Sequence, residues 1–431
     1  MTYSKNSHNR QHEKTVLSNG LTILSLKNEE VRSIAMEIWV KVGSRNEPLE
    51  LNGITHFIEH MNFKGTSKRT AQGIAEEFDA IGGYLNAYTS KEHTVYSAKI
   101  LKEFLPLTID VMSDIMFNSI YHEDEIEKEK NVVLQELAQT EDSPEEMVFE
   151  YFSEAAFNNQ AVGRSILGVK KNIKNFSRKN IIDFIHEHYI APKIIISASG
   201  DLDHKELVKL VEDKFTPFPS VKTSKYEAAI YTGGNSFKED LELSQSHLVI
   251  GYEGLNIQSE EYYKLEVLAN ILGGSISSRL FQEIREKRGL VYSIGSFCNY
   301  FSDSGIFGAY LSTTSDKIEE TLKVLSEEII KMTHSITQNE LDRCLAQVKA
   351  SLYMSRETVD NWVSILANNY SSYNRYIPRE EIWQGYTSIK IDELHDLAKR
   401  IFSNTKPCTI AGLGDIKNLP SYSKMQEMLT I

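Results

Sequence analysis

Apolar residues recur along this chain at two periods, and the switch between them marks its elements. From Ile34 to Val42, Ile34, Met36, Ile38, Val40 and Val42 alternate with Ala35, Glu37, Trp39 and Lys41, which predicts a strand with one buried face. Ser18-Asn19-Gly20 is a hairpin signal ahead of another strand, and Tyr84–Thr89 and Thr94–Ile100 read as two strands joined by a short polar turn. Between Glu123 and Gln139 the period lengthens. Ile126, Val133, Leu134 and Leu137 fall at helical spacing there, and Ser143-Pro144 is a helix start, with serine at the cap and proline in the first turn.

The pattern then repeats. Ser177–Tyr189 reads as a helix, Ala191-Pro192 leads into the apolar run Ile194–Ser199, and that run ends at Gly200-Asp201-Leu202; 214 residues on, a helix over Ile391–Phe402 precedes Thr409–Leu413 and Gly414-Asp415-Ile416. Glu125-Ile126 likewise returns as Glu340-Leu341, 215 residues later, which sets Ser351 opposite Glu136. The chain therefore reads as a duplication of class α+β. It divides into an N-terminal domain 1–216, a turn-rich linker 217–234 and a homologous C-terminal domain 235–431, each an antiparallel-rich sheet packed with helices.

Composition narrows the class. At 431 residues the chain exceeds one ordinary core, and 41% apolar with 25% charged residues is the balance of a globular protein. A net charge of −13 disfavours nucleic acid and suits basic ligands, although acidity also serves solubility. No apolar run is long enough to span a bilayer, and the polar start lacks a secretory signal, so a cytoplasmic location is expected. Cys298, Cys344 and Cys408 are few and far apart, as core fillers are.

The chemistry concentrates at His56-Phe57-Ile58-Glu59-His60. Two histidines four apart on a helix project from one face about 6 Å apart along the axis, which is half of a zinc site. Glu59 lies beside that face, where a carboxylate serves as a base toward water. A third ligand comes from elsewhere. Glu129 and Glu136, two turns apart on one helical stripe, are candidates, while the run Glu123–Lys130 is equally what a solvated charged helix looks like.

Together with Gly82–Thr89, Glu129–Glu136 and Ser278–Tyr292, the stretch His56–Thr66 resembles the inverted-motif zinc peptidases of the pitrilysin and insulinase family, in the branch that includes the catalytic subunit of the mitochondrial processing peptidase. The resemblance implies one zinc held by His56, His60 and Glu136, with Glu59 as base and Glu129 supporting the site. It implies two halves closing like a clam around a chamber for unfolded peptides or presequences. Arg285 and Tyr292 would bind the scissile peptide and its oxyanion, although by themselves they read as a surface charge cluster and a core strand residue. Asn86, Ala87 and Tyr88 would form the edge strand that takes substrate as an added strand, and Phe63 would line the pocket after the cut. Glu146 and Glu150, ten and fourteen residues beyond Glu136, would hold an arginine before the cut. A homodimer is expected. The alternative is a noncatalytic peptide-binding or assembly subunit of the same fold, against which the retained Glu59 argues.

Overall fold

The computed structural model describes residues 12–215, 227–403 and 405–431, so the polar N-terminal stretch and most of the expected linker lie outside the described residues. Two sheets organise the chain. The first comprises β1 (His12–Val16), β2 (Thr22–Lys27), β3 (Ser33–Val40), β4 (Tyr84–Thr89), β5 (Thr94–Leu101) and β6 (Ile194–Gly200), in the order β1-β2-β6-β3-β5-β4. The second comprises β7 (Gly234–Glu239), β8 (Ser246–Glu253), β9 (Val291–Tyr300), β10 (Gly305–Thr313) and β11 (Thr409–Gly414), in the order β7-β11-β8-β10-β9. Each sheet has one parallel pair, β2 with β6 and β7 with β11, among antiparallel neighbours. The repeat is visible in this matching. β6 and β11, the strands that end in Gly-Asp, both sit inside their sheets against a parallel partner.

Strand β3 departs from the expected one-faced burial. All of Ile34–Val40 is buried, including Ala35, Glu37 and Trp39. The cover is the helix Val359–Tyr373, whose Trp362, Leu366, Ala367 and Tyr370 pack with Leu24, Trp39, Val95 and Ile195. Glu37 survives burial because Trp39 Nε1 (2.7 Å) and Ser364 Oγ (2.6 Å) donate to its two oxygens. Val95 lies on this face, so Tyr96, the next residue, points to the other. There it accepts from Asn62 Nδ2 at 2.7 Å, which places the helix Ile54–Asn62 on the side away from Val359–Tyr373.

The second sheet shows the same plan. Leu248, Ile250 and Tyr252 of β8 face Leu265, Leu268 and Leu322, while Val249 faces Val148, Phe152 and Ala156 of the helix Pro144–Ala156. Gly251 allows this approach, since a Cβ there would come within 2.4 Å of the Phe152 ring.

Compactness therefore does not follow the two halves of the sequence. Among the described residues, one unit gathers those within Met1–Leu134, Ile166–Tyr226 and Tyr353–Tyr376, and the other those within Gln135–Ser165, Glu227–Leu352 and Ile377–Ile431. Each unit takes one covering helix from the opposite half. The two exchanged helices begin at Pro144 and Val359, separated by the offset of the repeat, so the exchange is itself duplicated. No helix among the described residues is long and apolar enough to cross a membrane.

Candidate metal centre

The helix that carries both histidines begins where the backbone needs a glycine. Gly53 has φ +98°, and a Cβ there would meet Leu167 O at 2.7 Å. The first turn of amides is met by Glu47, whose buried carboxylate accepts from Gly53 N (2.8 Å), Thr55 N (2.8 Å) and Asn52 Nδ2 (3.0 Å). Burial pushes the Glu47 carboxyl up to about 7 despite these donors.

One turn apart on this helix, the His56 and His60 rings stand with centroids 4.5 Å apart. Burial and the neighbouring His60 depress the pKa of His56 to about 3, so at neutral pH it is a neutral imidazole, the form that binds metals. His60 Nδ1 is 2.8 Å from Glu129 Oε1, which as a hydrogen-bond acceptor keeps the proton on Nδ1 and turns Nε2 outward. Glu129 is buried, and burial raises its pKa, but His60 and Lys64 outweigh that and hold it below the usual carboxylate value.

Glu129 and Glu136 belong to one unbroken helix, Glu123–Glu141, and seven residues separate them by about 10 Å along its axis. The bond from Glu129 to His60 thus also fixes where Glu136 lies. One ligand atom from each of His56, His60 and Glu136 falls within 4.8 Å of the others. Two imidazoles and a carboxylate at this spacing suit zinc with one position left open. Glu59, buried on the histidine helix Ile54–Asn62, accepts a hydrogen bond from Thr89 Oγ1 at 2.6 Å.

Lys64 was not singled out by sequence. Its ammonium lies 2.7 Å from Glu129 Oε2, the oxygen opposite the one that meets His60. Its place four residues after His60 is the only hint in the chain, and that hint has meaning only once the partner helix is in position. Replacing Lys64 with Met is expected to weaken zinc binding about tenfold, the low end for a group that acts on a ligand through a second residue, as read by chelator competition.

The other candidate residues sit in three places. Asn86 and Tyr88 are exposed and Ala87 is half-buried on β4, an outer strand of its sheet; Phe63 is half-buried at the end of the histidine helix, its ring centroid 6.1 Å from that of Tyr96. Arg285 is exposed in the helical turns Phe281–Glu286, its guanidinium 4.7 Å from the Phe281 ring centroid. Tyr292 is 73% exposed near the start of β9, the other sheet's outer strand, so the core reading of this residue does not hold. Glu146 is exposed and Glu150 half-buried on Pro144–Ala156, where Ser143 Oγ accepts from the Glu146 amide as its cap. Cys344 and Cys408 are buried fillers, and Cys298 is half-buried.

The insulinase (peptidase family M16) domain matches residues 22–170, and the peptidase M16 inactive domain matches residues 175–348. An uncharacterized zinc protease of Rickettsia felis is 42% identical over 403 residues, covering 93% of this chain and 97% of that one. The mitochondrial-processing peptidase subunit beta of Homo sapiens is 32% identical over 426 residues, covering 96% of this chain and 86% of that one. Among solved structures, a protease from Helicobacter pylori superposes with a TM-score of 0.86 at 23% identity, over 94% of this chain and 99% of that one. With the inverted histidine pair on one helix, two duplicated sheets and relatives matched over more than nine tenths of its length, the chain belongs to the M16 peptidase family.

Proposed function

We propose that this protein is a zinc-dependent endopeptidase acting on unfolded peptides or presequences, with arginine preferred shortly before the scissile bond. The observation that carries the reading is the convergence of His56, His60 and Glu136 within 4.8 Å, beside the buried carboxylate of Glu59. Zinc held by these three residues supplies Lewis acidity that polarises a carbonyl and acidifies water. Glu59 takes the proton from the attacking water and passes it to the leaving amine. Glu129 and Lys64 keep His60 in the tautomer that presents Nε2. β4 is an outer strand of its sheet, and a peptide laid along Asn86, Ala87 and Tyr88 as an added strand would be gripped along its main chain. Phe63 lines the pocket after the cut, and Arg285 and Tyr292 donate to the substrate backbone and the oxyanion. One copy carries both halves of this machinery, so no different subunit is needed to complete it, and the pairing proposed for the chain is with a second copy of itself, as a homodimer.

Glu146 and Glu150 confer the arginine preference. Like charges four apart on a helix repel mildly, and a planar guanidinium meets paired carboxylates better than an ammonium does. With matched peptides carrying Arg, Lys or Ala before the cut, kcat/KM is expected to fall in that order, by about tenfold or more from Arg to Ala, the worth of a charge-assisted hydrogen bond. The order should flatten in the double variant Glu146→Gln, Glu150→Gln, and all cleavage should stop with a chelator and return with zinc. Equal rates on the three peptides in the parent would remove the preference; no cleavage by the zinc-loaded protein would remove the endopeptidase reading.

A further inference from the structure

Thr89 is the last residue of β4, and its hydroxyl donates to Glu59 Oε2 at 2.6 Å. A carboxylate at the end of a glutamate rotates broadly about its last bond, whereas a threonine side chain is stiff at χ1, so the threonine sets the direction of this pair. Thr89 is in turn fixed by its surroundings. It pairs with Thr94 across β5, and Thr94 Oγ1 donates to Val42 O at 3.0 Å. The turn that follows is closed by Ser90, whose amide donates to His93 O at 2.8 Å and whose hydroxyl accepts from the His93 amide at 3.1 Å. That turn is clamped again from outside: Ser44 N donates to Ser90 O and Arg45 N to Lys91 O, at 3.1 and 2.9 Å, past Gly43, where a Cβ would sit 2.3 Å from Ser90 O. A rigid turn at the end of an outer strand thus terminates in one hydrogen bond to the base.

We infer that Thr89 is a positioning residue, which holds the Glu59 carboxylate in its working orientation and ties that orientation to the strand on which substrate pairs. This rests on the endopeptidase reading above. The Thr89→Val variant keeps the shape and removes the donor; Thr89→Ser keeps the donor. In Thr89→Val, kcat is expected to fall about 10- to 100-fold, the range for one hydrogen bond to a charged group, with KM within about twofold of the parent and zinc content and Tm retained. Thr89→Ser should recover most of the loss. The crystal structure of zinc-loaded Thr89→Val should show the Glu59 carboxylate rotated from its parent position. Parent-like kcat in Thr89→Val, a Ser variant as slow as the Val variant, or an unmoved Glu59 in that crystal structure each overturns the inference. If the parent itself cleaves no peptide, the endopeptidase reading fails, while the crystal structure still decides whether Thr89 holds Glu59.

Discussion

Glu59→Gln is expected to lower kcat by about a hundredfold or more while leaving zinc content, KM and Tm close to the parent values. The amide has the shape of the carboxylate, and its carbonyl oxygen still accepts from Thr89, so the side chain keeps its place. What it loses is basicity. With no group to take the proton from water or return it to the amine, the chemical step slows, whereas the proposed binding of peptide along β4 does not involve Glu59. Metal analysis and single-turnover kinetics on one variant separate these effects. Turnover at the parent rate would show that Glu59 is not the base, and loss of zinc would show that it belongs to the metal's hold instead.

His60→Ala is expected to reduce zinc affinity by more than the roughly hundredfold that removing an outer partner of a ligand costs, and so by far more than Lys64→Met does. The fold should persist. Glu129, buried beside His60, keeps the Lys64 ammonium 2.7 Å away, so the substitution leaves no isolated buried charge, and the His60 side chain is 22% exposed and leaves no sealed cavity. Chelator competition measures the affinity, and the Tm of the metal-free forms should match within a few degrees. Zinc content equal to the parent's in this variant would remove His60 from the site.

The histidine pair was legible because one helical turn relates its members, and a local rule places both rings without any knowledge of the fold. Glu136 was one of two candidates by periodicity and was singled out by likeness to a family. Lys64 was not legible, because its significance depends on where the helix Glu123–Glu141 packs. The strands tell a similar story. Gly-Asp at the ends of β6 and β11 revealed the duplication and the matching strands. The burial of β3 was misread because Ala35, Glu37 and Trp39 resemble a solvated face, and what covers them, Val359–Tyr373, lies more than three hundred residues away in the chain. Apolar periodicity shows that a helix has a sheet to cover. It does not say which sheet, and for Pro144–Ala156 and Val359–Tyr373 the answer was the one in the other half.

That exchange has a cost during synthesis. The strands of the first sheet are all made once Gly200 leaves the ribosome, yet the helix that shields Leu24, Trp39 and Ile195 begins only at Val359. At about 5–20 residues per second, roughly ten to thirty seconds pass with that apolar face open to water and to other nascent chains. A chaperone has a natural place to stand during this interval. A polypeptide released before Val359, even one carrying His56, His60 and Glu136, would leave one side of that sheet bare and so be exposed to aggregation.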